Sequence, residues 1–217
     1  MTPQQHLQTQ LPIHLGGLGM LELTHRSAAA YLGSWQSFAT KSSNNYTDAT
    51  FKHHFPQATT HIDEAHQRIR RFLPPDHPTP TWTQWTTNAH ELSQSTLSKH
   101  INNQQYDDLH SNTTVLHQTI LDNMHGPGNG AWIYPNSMST QSLPEIHHVV
   151  ALKLRLGIII HTHNETCQHN TSGTQCGHAL DTHAHHSMTC KTGPHRNKRH
   201  DNIGQTLNKW IKQHVYH

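Results

Sequence analysis

The clearest chemistry in this chain lies near its C-terminal end, where Cys176-Gly-His-Ala-Leu-Asp-Thr-His-Ala-His-His-Ser-Met-Thr-Cys190 sets thiols and imidazoles at short intervals. Thiolate and imidazole suit the borderline softness of zinc, which takes four such ligands in a tetrahedron. Cys176 and Cys190 are the firmest candidate ligands. His186 stands with three residues between it and Cys190, a spacing that lets both side chains reach one ion, and His185 is the alternative. The fourth ligand stays open. Cys167 has eight residues between it and Cys176, a longer gap than finger pairs usually show, while His169, His178 and His183 are substitutes. The plain alternative is three reduced cysteines in a His-rich loop. Three cysteines cannot close a disulfide framework, and their company favours metal binding in a reducing compartment. A closed site of four protein ligands is structural and not catalytic.

Directly behind Cys190 comes the densest positive charge in the sequence: Lys191, Arg196, Lys198 and Arg199, with His195 and His200 among them. Phosphate contact is the functional reading and a solvated basic turn the plain one. The formal charge of the whole chain is only +2, so any affinity for nucleic acid must come from such a local patch.

Composition bounds what can position these groups. Hydrophobic residues make up 32% of the 217, against roughly 45–50% in ordinary globular chains. That predicts a small core and a helical chain that needs a staple or a partner. The 26 histidines are scattered along the chain. They read either as metal buffering or pH sensing, or as a coding bias that enriches His, Gln, Asn and Thr together. Protonating all 26 would carry the formal charge from +2 to +28, which predicts loss of compactness near pH 5. The N-terminus lacks a signal-type apolar run, and no stretch approaches the ~18 apolar residues of a membrane span. A membrane partner and secretion are therefore not expected; the compartment is otherwise open between nucleus and cytoplasm.

The expected architecture is mainly α: an irregular helical body, then a small zinc-knuckle segment and a C-terminal helix. Gly16, Gly17 and Gly19 mark a tight turn, since no lysine follows to make it a phosphate loop. Ala28, Tyr31, Leu32, Trp35 and Phe38 fall at helical spacing, capped by Thr24 or Ser27. Residues 40–60 read as a polar loop, and Thr60 with Asp63 as the start of the next helix, which carries Arg68, Arg70 and Arg71. Pro74-Pro75-Asp-His-Pro78-Thr-Pro80 reads as a linker, and Trp82 and Trp85 as packing anchors. Helices are predicted over about 88–103 and 107–124, with the Tyr106-Asp107-Asp108 run between them a helix start and not a polymerase metal site. Ser142, Pro144 and Glu145 open the best-specified helix, which Gly157 stops. These punctuation marks divide the chain into segments 1–73, 74–160, 161–200 and 201–217.

Several separated pieces together resemble one family. They are Leu11-Pro12 with Gly16-Gly17-Leu18-Gly19, Ala29-Ala30-Tyr31-Leu32-Gly33-Ser34-Trp35, Gly130-Ala131-Trp132 with Pro135, and Ala151-Leu152-Lys153-Leu154-Arg155-Leu156-Gly157. Cys176-Gly177 with Leu180-Asp181, His186 with Cys190, Gly193 and Arg199-His200-Asp201 complete the set in order. The series resembles the region after the polymerase domain in reverse transcriptases of non-LTR retrotransposons, the kind with a Cys/His knuckle before an endonuclease. The resemblance implies one structural zinc on Cys176, His186 and Cys190, and contact of the knuckle and basic turn with template RNA or target DNA. It departs from the family at Thr174, where a first cysteine is usual; either Cys167 replaces that ligand after an insertion or the site is a decayed one. Family polymerase carboxylates would lie before Leu11 and endonuclease carboxylates after His217. The expected role is thus a non-catalytic, nucleic-acid-binding fragment whose partners are RNA or DNA and the remainder of the polyprotein. A stand-alone His-rich metal-binding protein, or a decayed element with no molecular role, are the alternatives.

Overall fold

The structure is a computed structural model that describes residues 1–42, 45–126, 128–130, 133, 145–162, 165–171 and 173–192, together with 201, 202, 204, 205, 208 and 212. It is mainly helical. Met1–Leu143 forms one compact unit and Pro144–His217 a second. The first unit carries α1 (Pro3–Gln10), α2 (Leu23–Lys41), α3 (Asp48–His54), α4 (Pro56–Ile69), a 3-10 turn (Arg70–Phe72), α5 (Trp82–Thr87), α6 (Gln94–Ser111) and α7 (Val115–Met124). The second carries α8 (Glu145–Arg155), the strands β1 (Asn170–Thr171) and β2 (Thr174–Gln175), and α9 (His185–Thr189).

The first unit is built around α2, against which α4, α5 and α6 pack. Its N-cap is Glu22, and not Thr24 or Ser27: the carboxylate accepts from the backbone N–H groups of Thr24 and His25. Ala28 and Leu32 lie on its buried face, as their spacing predicts, with Ala29 beside them, while Tyr31 and Trp35 are half-buried and Phe38 is exposed. At Gly33 a Cβ would come within 2.6 Å of the Gln94 Cβ and 2.7 Å of its backbone nitrogen, so only glycine lets α2 and the start of α6 approach this closely. The scarce aromatic residues are concentrated here. Trp35, Phe51, Phe55, Trp82 and Trp85 interlock edge-to-face, stacked or tilted, with Tyr46 and Phe38 closing the sides. A low average hydrophobic content therefore conceals one substantial core.

Residues 40–60 are not simply a loop. Thr47 forms a capping box with Thr50 and starts α3, which buries Phe51, and Pro56 at the first helical position starts α4. Thr60 consequently lies inside α4, its hydroxyl donating to the Pro56 carbonyl. The Pro74–Pro80 stretch does not divide the unit into separate bodies, because Ile69, Phe72 and Leu73 before it and Trp82, Trp85 and Leu92 after it share one core. Arg70 is spent on this crossing, donating to the carbonyls of Pro74 and Pro75, and Arg71 lies 4.5 Å over the Phe72 ring. Tyr106, Asp107 and Asp108 sit within α6; the break between α6 and α7 falls at residues 112–114 instead.

A smaller cluster of Leu11, Leu15, Leu109 and Leu121 joins the N-terminal turn to α6 and α7. Gly16 and Gly19 there adopt positive φ, and a Cβ on Gly17 would overlap the Leu11 carbonyl, which makes the turn structural.

His66 and His117 are buried, and each has an Nε2 without a hydrogen-bond partner among the described residues. Desolvation holds both below the ordinary value of 6.5; the positive charges of Arg70 and His77 add to it for His66. Their depressed pKa means the unfolded chain takes up protons first. The stability they allow is complete above pH 6.5 and is lost as pH falls below that value through the folded ones. With charge accumulating on the other histidines, the helical circular dichroism signal is expected to hold from pH 8 to 7 and fall by pH 5. An unchanged spectrum across that range contradicts this prediction.

Candidate metal centre

In the second unit few of the described apolar residues are buried, and Ile146, Val149 and Ile159 are exposed. Among the described residues, its buried apolar positions are Leu156, Cys167, Ala184 and Cys190, so two of the four are cysteines. Arg155 is the one buried polar residue beside them among those described.

The cysteines are delivered by a hairpin and a short helix. Asn170 pairs with Gln175 and Thr171 with Thr174, and the same antiparallel register continues outward to the Thr166–Ala179 bridge. Gly173 turns the hairpin with φ +83°. Along this ladder the Cys167 N–H donates to the His178 carbonyl at 2.8 Å and the Cys176 N–H to the His169 carbonyl at 2.8 Å. Cys167 and Cys176 therefore lie diagonally across the two strands. The long gap between them is the hairpin itself, folded out so that its ends meet. Thr174 is exposed, within the strand pairing.

The other two groups come from α9. His186 lies in its first turn and Cys190 follows its last residue, with the Cys190 N–H donating to the His186 carbonyl at 2.8 Å. Four residues apart, they share one face. So short a helix needs help at its start, and Asp181 provides it. The Asp181 carboxylate accepts from the backbone N–H groups of His183, His185 and His186 at 3.1, 2.9 and 2.6 Å. Burial works against its ionisation, but these bonds prevail and hold the carboxyl below the usual range. Sequence reasoning assigned Asp181 no structural role, although an Asp just before a His-rich helix start is a capping signal. Asp181→Ala is expected to weaken metal uptake about fivefold, the counterpart of ~1 kcal/mol for a lost cap. A competition titration showing unaltered affinity contradicts that role.

The result is a cluster in which Cys167, Cys176, His186 and Cys190 each bring one donor atom within 4.8 Å of all the others. Cys167 Sγ and Cys190 Sγ stand 3.7 Å apart, and Cys176 Sγ and His186 Nε2 3.4 Å. Cys167 and Cys190 are buried, and Cys176 and His186 half-buried. This Cys3His group can hold a metal ion.

The electrostatics show what such an ion would relieve. A hydrogen bond from the His169 side chain, with the Thr192 N–H and the other two thiols, outweighs burial and pulls the Cys190 thiol down to about 5. The His169 N–H favours the Cys167 thiolate too, but burial and hydrogen bonding to Cys190 and Cys176 push that thiol up. Three sulfurs this close cannot all carry charge alone, and a divalent cation releases the remaining protons.

The other histidines weighed as ligands have different places. His169 hydrogen-bonds the Cys190 sulfur, His178 packs its ring 5.4 Å from that of His186, and His183 and His185 give their backbone N–H groups to Asp181. Of the basic stretch, Lys191 is exposed immediately after Cys190. Arg196, Lys198, Arg199 and His200 lie outside the described residues, as do Ser142 and Pro144.

No protein-family model, curated protein or solved structure matches the chain. Among the described residues, no helix is long and apolar enough to cross a membrane.

Proposed function

We propose that Cys167, Cys176, His186 and Cys190 hold one structural zinc ion. The stapled segment and the basic stretch behind it then bind RNA or DNA, as a non-catalytic portion of a non-LTR retrotransposon reverse transcriptase polyprotein. The observation that carries this reading is the Cys3His cluster in a unit whose described residues form almost no other core. Its spacings support zinc in particular. With Zn–S near 2.3 Å and Zn–N near 2.0–2.1 Å, a tetrahedron has S···S edges of about 3.8 Å and S···N edges of about 3.6 Å. The separations of 3.7 and 3.4 Å lie close to both. All four positions are filled by protein, so the ion supplies folding free energy and no open site for a reaction. His169 acts behind the ligands, orienting the Cys190 sulfur by its hydrogen bond.

The nucleic-acid half of the reading rests on Lys191, Arg196, Lys198 and Arg199 following the last ligand so closely, with His200 adding charge at low pH. Four phosphate contacts give a log–log salt slope of about −3.6 on duplex DNA. Measured by fluorescence anisotropy on duplex DNA, and in parallel on RNA, affinity is expected to fall steeply with salt. Arg196→Ala/Arg199→Ala together should make the duplex slope shallower by about 1.8. Binding that ignores salt, or no binding to either nucleic acid, contradicts this half of the proposal and leaves the zinc site to its own test.

A further inference from the structure

A second group of metal-competent side chains lies in the first unit, where the Pro74–Pro80 crossing meets the turn before α6. His77 is only 7% exposed, although it sits in a polar, proline-rich stretch. Its backbone N–H donates to the Pro74 carbonyl, and Arg70 clamps the Pro74 and Pro75 carbonyls, so the imidazole is held in place. Its Nδ1 lies 3.1 Å from the Pro78 carbonyl oxygen and its Nε2 3.2 Å from that of Glu91. A neutral imidazole has one N–H and cannot donate to both. In the neutral form one ring nitrogen therefore presents its lone pair to an oxygen, an arrangement relieved by a second proton on the ring or by a cation at that nitrogen.

The neighbours supply the other donors. The His100 ring, on α6, stands edge-on to His77 with centroids 5.6 Å apart and planes at 87°. The exposed Glu91 carboxylate completes a set in which His77, Glu91 and His100 each offer one donor atom within 4.8 Å of the other two. His66, near enough for its charge state to feel that of His77, is itself buried with Nε2 lacking a hydrogen-bond partner among the described residues.

We propose that His77, Glu91 and His100 form a second divalent-metal site, with two imidazoles and one carboxylate as ligands. Two nitrogens and one oxygen suit zinc and its first-row neighbours better than calcium or magnesium, and three protein ligands leave a further position for water. The ion ties the crossing loop to α6 through the Glu91 turn. The site does not depend on the cysteines, and its spectrum separates it from them. Titration of the full chain with Co2+ under reducing conditions is expected to give two equivalents: one with thiolate-to-cobalt charge-transfer absorption, one without. His100→Ala and Glu91→Gln, at positions that spare the core, should each weaken the second equivalent by at least about tenfold while the charge-transfer band persists. Circular dichroism verifies that both variants stay folded. Uptake of no equivalent lacking charge-transfer absorption, or such an equivalent that persists unweakened in either variant, overturns the proposal.

Discussion

Stripping the ion with a chelator, or replacing Cys190 with serine, is expected to unfold residues 165–190 while the helices of the first unit stay formed. The reason is what remains without metal. The hairpin has two-residue strands and α9 has five residues. Isolated hairpins and helices this short are marginal in water. Leu156 and Ala184 are the buried apolar residues of that unit, among those described, that are not cysteines. Structural zinc in small finger peptides contributes about 10–16 kcal/mol, more than such a segment can recover from burial. Amide NMR signals of residues 165–190 should collapse to random-coil positions on chelation and return on adding zinc. Retention of dispersed signals after chelation contradicts the prediction.

Trp85→Ala should have the largest effect of any single core change in the first unit. Trp85 is 1% exposed, stacks nearly parallel on Trp35 with centroids 6.5 Å apart, and meets Phe51 edge-on at 5.9 Å. Truncating a buried tryptophan costs about 3–5 kcal/mol, a large share of the roughly 5–15 kcal/mol that holds a domain folded. The indole N–H has no hydrogen-bond partner among the described residues, so Trp85→Phe discards an orphaned donor while keeping a ring, and should lose much less. In urea denaturation the midpoint should fall sharply for Trp85→Ala and modestly for Trp85→Phe, at similar slope. Equal midpoints for the wild type and Trp85→Ala contradict the packing account.

The helical class and much of α2, α6 and α7 were legible because apolar residues recur there at helical spacing. Residues 40–60 were not, because α3 is too short to show a period and its signals are a Thr47–Thr50 capping box and the buried Phe51. The polar run at 104–108 resembles a helix boundary, yet α6 continues through it, exposing Asp107 and Asp108 while Leu109 returns to the core. The proline run resembles a linker, since nothing local reveals that Phe72 before it and Trp85 after it pack into one core.

At the metal centre, His186 and Cys190 were readable as neighbours on one helical face. Cys167 was hard to place from spacing alone, because strand pairing and not sequence distance brings it to Cys176. His77 was hidden for a different cause: one histidine among 26 carries no signal until burial and its neighbours distinguish it.

Zinc X-ray absorption on protein loaded with one equivalent tests the central claim most directly. The account predicts three sulfurs near 2.3 Å and one nitrogen near 2.0–2.1 Å, a shell that Cys190→Ser does not preserve. A shell of nitrogen and oxygen alone, indifferent to Cys190→Ser, would contradict it and point instead to general binding by histidine.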